Sequence, residues 1–279
     1  MSTRLEKIKA YYASFDEWAR LESPDGAIEF KHTLNIVASK LRPESRILDL
    51  GGGPGRYAAE LVRQGHRVVL ADLSPELLSF AKTKLGELGL ESGMESYDEV
   101  DAIDLSVYEA ESFDAVLAAG PFYHLTTIEE RAQATLEILR VLKPGGYAFI
   151  VYIPKASGLK GLVERAVASP EQVNADVLKL ASETGVFQNA SEFGFQEGYF
   201  AAPGEIRRMM ELAKFEIDDE LSLKSVAEGL GNAIGSLEHP VDALDAPAAN
   251  AVNHLIVSMC REPEVINACG HAMVVARKP

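Results

Sequence analysis

The stretch "RILDLGGGPGRYAAELV", residues 46–62, constrains the fold more than any other part of this 279-residue chain. It sets Gly51, Gly52, Gly53 and Gly55 between an apolar run and a helix-like run. A turn so poor in side chains lets a ligand lie directly on backbone, and the helix that follows offers it free N–H groups. The phosphate-binding pattern G-x-x-x-x-G-K-[ST] is excluded because the loop has no lysine. The dinucleotide pattern G-x-G-x-x-G starts at Gly51 and Gly53 but meets Arg56 where its third glycine belongs. A third pattern, D-x-G-x-G-x-G, runs unbroken through Asp49, Gly51, Gly53 and Gly55. On the loop alone, a tight strand-to-helix turn with no ligand stays open beside these readings.

The periodicity around the loop supplies its setting. "RILDL" (46–50) reads as a buried strand and "GRYAAELVRQG" (55–65) as a helix closed by Gly65. "HRVVLAD" (66–72) is a second strand, and "SPELLSFAKTKLGEL" (74–88) a helix with Ser74 as N-cap and Pro75 at its first position. A weak third strand lies within 97–105, a fourth within 112–120, an amphipathic helix at 127–142 and a fifth strand at 147–153. This alternation implies a parallel sheet with helices on both faces. A helical arm (3–22) and a helix at 26–41 precede it. Beyond Pro154 come helical segments and a Gly/Phe-rich stretch, then a helix at 202–213, a strand at 215–223, a helix at 245–261 and a last strand at 270–278. Residues 225–245 show no clear pattern.

Net charge is −15, from 27 basic and 42 acidic side chains, and no basic run is visible. Phosphate contacts need a basic face, so a nucleic-acid partner is not expected. No stretch of about 18 uncharged apolar residues occurs, so no membrane span is expected. The opening "MSTRLEKIKAYYASFDEW" lacks the apolar core of a secretory signal. Cys260 and Cys269 fit reduced thiols, and no CxxC or Cys/His cluster points to a metal. A cytoplasmic location without a metal centre is the expectation. The oligomeric state is not fixed, and a homodimer is allowed.

With the D-x-G-x-G-x-G loop in place, the chain resembles the class I S-adenosylmethionine-dependent methyltransferases. "VVLADLS" places Asp72 at the end of the second strand, 21 residues after Gly51. "DAIDL" (101–105), "SFDAVLAAGPFYHL" (112–125), "ILRVLKPGGYAFI" (138–150) and the ending "GHAMVVARKP" resemble later motifs of that family. The resemblance implies an α/β, Rossmann-like, seven-stranded, mostly parallel sheet with helices on both faces and an antiparallel last strand. It implies an N-terminal helical arm (1–44), a donor-binding core (45–154), a helical lid insertion (155–198) and a C-terminal part of the core sheet (199–279). It implies S-adenosylmethionine as donor and S-adenosylhomocysteine as product. Asp49, Gly51, Gly53 and Gly55 would then bind the donor, the glycines through their backbone. Asp72 would take the ribose hydroxyls, with Leu73 beside it; Asp101 and Ala102 would take the adenine, and Ala119 would close the pocket at the fourth strand. No glycine precedes Asp101 in "YDEVDAIDL", so Asp98 or Asp104 are alternatives in a slipped register.

Methyl transfer from a sulfonium needs an acceptor aligned opposite the sulfur, water excluded, and a proton removed where the acceptor carries one. Tyr11, Tyr12 and Arg20 in the arm are candidates for the donor's carboxylate, whereas Phe15 and Trp18 read as docking residues. His124 is the candidate general base and Tyr123 the candidate that orients the acceptor, against a backbone-bonding role for the first and a wall role for the second. The histidines at 32, 66, 239, 254 and 271 read as structural or surface residues. Phe187, Phe193, Phe195, Tyr199 and Phe200 read either as an aromatic acceptor pocket or as a satellite core under the insertion. The expected function is methyl transfer to O, N or S of a small molecule. The competing readings are a methyltransferase of protein or tRNA, a non-catalytic donor-binding module, and a nicotinamide enzyme, which the Arg56 mismatch disfavours.

Overall fold

The computed structural model describes residues 17–170, 174–188, 197–227 and 246–279. Its centre is a sheet whose strands are β1 (Arg46–Leu50), β2 (Arg67–Asp72), β3 (Met94–Glu99), β4 (Phe113–Ala118), β5 (Leu142–Pro154), β8 (Glu216–Ser222) and β9 (Ala272–Arg277). The order is β3-β2-β1-β4-β5-β9-β8. The first five strands pair in parallel, and β9 runs antiparallel to both β5 and β8. This is the expected seven-stranded arrangement, with the antiparallel last strand lying inside the sheet rather than at its edge. A two-stranded hairpin, β6 (Val186–Gln188) and β7 (Glu197–Ala201), extends it at the far end of β5.

Strand alternation divides the core into two layers. Leu48, Val116, Ala148, Ile150 and Val274 face one side, and Ile47, Leu117, Phe149, Val151 and Val275 the other. Helices close both. Ser74 caps α4 (Pro75–Glu87), its hydroxyl accepting the Leu77 N–H, and Pro75 stands at the first turn as its sequence implies. Thr127 and Glu130 form a reciprocal capping box at the start of α5 (Ile128–Val141). On the N-terminal side, α1 (Glu17–Arg20) leads into α2 (Pro24–Lys40), which packs against α3 (Arg56–Arg63). Trp18 docks this segment by an edge contact to Phe80 at 6.5 Å, with the Arg56 guanidinium over its ring at 4.9 Å. Tyr11, Tyr12 and Phe15 lie outside the described residues.

The third strand ends earlier than its sequence pattern implied. It covers 94–99, and Asp101 instead starts a short turn bridged to Asp104. Between β8 and β9 the chain forms α9 (Ala246–Met259) and a second helix, α10 (Pro263–Ala268), that periodicity did not reveal. Before that, the insertion after β5 holds α6 (Lys155–Ala168), α7 (Ala175–Thr184) and the β6–β7 hairpin. Leu162, Ala181, Phe187 and Phe200 form their own small core, the two phenylalanine rings stacked at 6.1 Å. These two aromatics therefore hold the insertion together. Phe193 and Phe195 lie outside the described residues.

Tyr199 does something different. Its hydroxyl donates to Glu205 at the first turn of α8 (Glu205–Leu212), and its ring lies under the Arg131 guanidinium at 3.4 Å. Arg131, buried in α5, also pairs with Glu205 at 3.2 Å and donates to the Leu125 carbonyl at 2.8 Å. One guanidinium thus ties the hairpin, α8 and the segment after β4. Arg131→Ala should cost about 2–3 kcal/mol in a denaturant titration, because it strands a partly buried carboxylate and a carbonyl at once.

Candidate donor-binding cleft

The cleft opens at the carboxyl ends of β1, β2 and β4, where parallel order reverses and α/β sheets leave a crevice. Its floor is the glycine loop. Gly51 has φ +69° and approaches the segment after β4 so closely that a Cβ would sit 2.7 Å from Pro121 Cδ. Gly53 has φ +53° and faces open space, with only Leu77 Cδ1 at 3.7 Å from a built Cβ. Both conformations are strained for any residue with a side chain. Gly55 does not line the cleft. It caps α3 with φ +82°, and a Cβ there would press on Leu85, Ala81 and Leu70 at 3.2–3.3 Å. It therefore serves the close helix packing that the dinucleotide pattern assigns to its third glycine, one residue before Arg56.

Two carboxylates organise this floor. Asp72 accepts the Gly53 N–H through Oδ2 at 2.8 Å and the Ser74 N–H through Oδ1 at 2.9 Å. It lines the cleft beside Leu73. Asp49 lies beneath the loop, fully buried, with Oδ2 accepting the Ala58 N–H at 3.1 Å. Oδ1 has no hydrogen-bond partner among the described residues. Burial pushes the Asp49 carboxyl up to about 7, with the Ala58 N–H opposing and the Asp72 charge adding to the rise. Asp49 thus supports the loop and does not line the cleft.

On one wall stand Val100, Asp101, Ala102 and Leu77. Of the three acids that register left open, only Asp101 lines the cleft. Asp98 accepts from Tyr108 and Ser96, and Asp104 accepts the Ser106 N–H. The opposite wall is Ala119, Gly120, Pro121, Tyr123, His124 and Leu125. The Tyr123 hydroxyl donates to the Ala119 carbonyl at 3.0 Å, which fixes its ring, and His124 is buried with its centroid 4.9 Å from that ring. The His124 backbone N–H donates to the Pro121 carbonyl at 2.8 Å.

The mouth is closed by Arg20 and Leu21, with Arg56 and Tyr57 at the head of α3. Arg20 contacts Glu29 through both guanidinium nitrogens at 3.4 Å, and Arg56 pairs with Glu22 at 3.3 Å. Tyr12 lies outside the described residues. Tyr57, Leu21, Leu77 and Leu125 were not foreseen as lining. Tyr57 and Leu77 carry a usable signal, since each opens the helix that follows a strand tip. Among the described residues, none of 155–201 lines the cleft, but β7 packs against the 121–123 turn.

The arrangement fits S-adenosylmethionine. A bare glycine backbone, an acid at the tip of β2, an apolar wall carrying a second acid, and an arginine at the mouth face one space. Residues 48–150 match the methyltransferase domain family. The chain is 33% identical over 123 residues to a ubiquinone/menaquinone biosynthesis C-methyltransferase of Proteus mirabilis, covering 43% of this chain and 47% of that one. It is 32% identical over 163 residues to a ubiquinone biosynthesis O-methyltransferase of Xylella fastidiosa, covering 54% and 63%. The chain therefore spans about half to just under two thirds of these relatives' length. A solved structure of a S-adenosylmethionine-dependent methyltransferase from Methanosarcina mazei superposes with TM-score 0.60 at 22% identity, over 87% of this chain and 96% of that one. Over residues 48–150 this chain is similar to the methyltransferase domain family, and its fold is that of the Methanosarcina mazei structure.

The buried Asp49 yields a pH prediction. Its native value is raised above the ordinary carboxylate value, so its contribution is fully present below about 4 and is lost as pH rises through about 7. Asp49→Asn should therefore gain stability relative to wild type between those limits, by about 2–4 kcal/mol in denaturant titrations at paired pH values. Equal pH dependence in both proteins would contradict the burial argument.

Proposed function

We propose that this protein is a S-adenosylmethionine-dependent methyltransferase acting on a small molecule. The observation that carries the reading is convergence. The loop backbone at Gly51 and Gly53, the Asp72 carboxylate and the Asp101–Ala102 wall, far apart in sequence, face one cleft. When bound, the donor supplies a methyl group already activated by a sulfonium charge. The protein's own task is to orient, to exclude water and to manage a proton.

Asp72 is the proposed partner of the ribose hydroxyls, and its carboxylate also holds the loop through the Gly53 and Ser74 N–H groups. Asp101 and the Ala102 N–H suit the adenine edge, with Leu73, Leu77 and Val100 supplying apolar faces. Arg20 suits the amino-acid carboxylate. Tyr123 and His124 sit on the wall nearest the acceptor side, Tyr123 as an orienting ring and His124 as the group that takes a proton from a hydroxyl or amine. The insertion, resting on the 121–123 turn, is the proposed cover of that side.

The relatives' names point to precursors of ubiquinone and menaquinone as the first acceptors to try, which adds carbon to the oxygen, nitrogen and sulfur acceptors expected from sequence. No described helix is long and apolar enough to cross a membrane. We place the enzyme in the cytoplasm, acting without nucleic acid, and a gel shift with bulk tRNA at low salt should show no complex.

Calorimetric titration with S-adenosylhomocysteine is the direct test, and wild type should bind one equivalent. Asp72→Asn should weaken that binding by about 1–3 kcal/mol, roughly 5- to 150-fold, with the circular dichroism spectrum retained. Absence of binding by wild type would sink the reading.

A further inference from the structure

A run of close contacts leads from the glycine loop to the inserted unit. At its start the floor and the wall leave no room between them. A Cβ on Gly51 would sit 2.7 Å from Pro121 Cδ, and one on Gly120 would sit 3.0 Å from the Gly51 carbonyl oxygen. The Pro121 carbonyl then closes a tight turn, accepting the backbone N–H groups of His124 at 2.8 Å and Leu125 at 3.2 Å. Pro121, Tyr123, His124 and Leu125 of this turn all line the cleft. At its far end the Leu125 carbonyl accepts from Arg131 Nη1 at 2.8 Å. A shift of the floor therefore reaches Arg131 through groups already in contact.

Arg131 is 4% exposed, and its Nε has no hydrogen-bond partner among the described residues. Two groups offset the cost of burying its charge: Glu205, 3.2 Å from Nη2, and the Tyr199 ring, 3.4 Å from the guanidinium. Glu205 in turn accepts the Tyr199 hydroxyl at 2.6 Å and the Ala202 N–H at 3.1 Å. Burial and the bond to Glu205 push the Tyr199 hydroxyl up from its ordinary value, so it stays a donor. Tyr199 belongs to β7 and Ala202 follows it, and neither lines the cleft. The guanidinium is a rigid planar fork, so moving the carbonyl at one prong turns the other prong against Glu205. A second route exists, because β7 also packs directly on the 121–123 turn.

We infer that Arg131 is a positioning residue that couples the cleft to the inserted unit: a ligand seated on the glycine loop firms the 121–125 turn, and Arg131 passes that ordering to Glu205, Tyr199 and Ala202. The coupling rests on the proposed donor site, which supplies the ligand on the loop. Its consequence is that the inserted unit, proposed above as the cover of the acceptor side, senses the donor without touching it. The cover is held more firmly once the donor is seated. By linkage, whatever lifts β7 weakens the donor by the same factor.

Amide hydrogen exchange of the full chain tests this, with saturating S-adenosylhomocysteine as the probe and no acceptor. In wild type the ligand should slow exchange over 119–127, which contains the cleft wall, and also over 197–202, which does not line the cleft. The remote slowing should be about 2- to 30-fold, the scale of coupling carried through packed side chains. Arg131→Lys keeps the charge but not the fork that reaches Leu125 and Glu205 together. It should still bind S-adenosylhomocysteine and keep the slowing over 119–127 while losing it over 197–202. An arginine with only a structural role would speed exchange throughout the ligand-free variant and leave the ligand-induced slowing in place. Tyr199→Phe keeps the ring and removes the hydroxyl. It should lose the slowing over 197–201, and it decides the matter if Arg131→Lys does not fold. Binding by wild type without slowing over 197–202, or slowing there unchanged in either variant, overturns the coupling through Arg131. No binding of S-adenosylhomocysteine by wild type overturns the proposed donor site as well, so the two failures are distinct.

Discussion

The structure depends on one bifurcated anchor, the Asp72 carboxylate holding the N–H groups of Gly53 and Ser74. One oxygen fixes the loop after β1, and the other fixes the start of α4. The loop N–H of Gly51 meanwhile donates to the Ala71 carbonyl at 2.7 Å. The tips of β1 and β2 are therefore locked together before any ligand arrives. A floor shaped in advance loses little conformational entropy on binding. The glycines matter because only bare backbone can hold positive φ at Gly51 while passing so close to Pro121, and because a Cβ on Gly52 would meet the Asp49 carboxyl beneath.

The parts of this molecule that were legible in sequence are those decided within a few residues. Ser74 with Pro75 and the glycine loop are local signals, and each stands where its pattern put it. The weak third strand was misjudged in extent because "DAIDL" alternates like a strand, whereas the Asp101–Asp104 bridge closes it into a turn. Helix α10, only six residues long, gives too short a period to be read. The Glu29–His271 pair was invisible for another reason. Its members are separated by 242 positions, and a histidine before a final strand carries no local mark of its partner.

Burial sorts the charges around the cleft into two kinds. Asp49 is buried with one weak partner and is driven towards its neutral form. Glu29, equally buried, stays charged because basic groups surround it. The same desolvation thus produces opposite outcomes, decided by which side chains the neighbouring elements bring. The acid under the loop supports the floor as a near-neutral prop, while the acid behind the walls keeps the cleft's cations in place.

Strand β5 has a consequence for how proteins of this shape can diversify. Residues 147–152 pair with β9, and only Ile153 and Pro154 pair with β7. Among the described residues the inserted unit is held by those two backbone pairings, by Tyr199 and Ala201 in the main core, by packing of α6 on α10 and of β7 on the 121–123 turn, and by the Tyr199–Arg131–Glu205 clasp. Recombination between relatives could exchange this unit whole without shifting the register of the ancestral strands. The cleft floor, to which this unit contributes no described lining residue, would keep its own geometry through such an exchange.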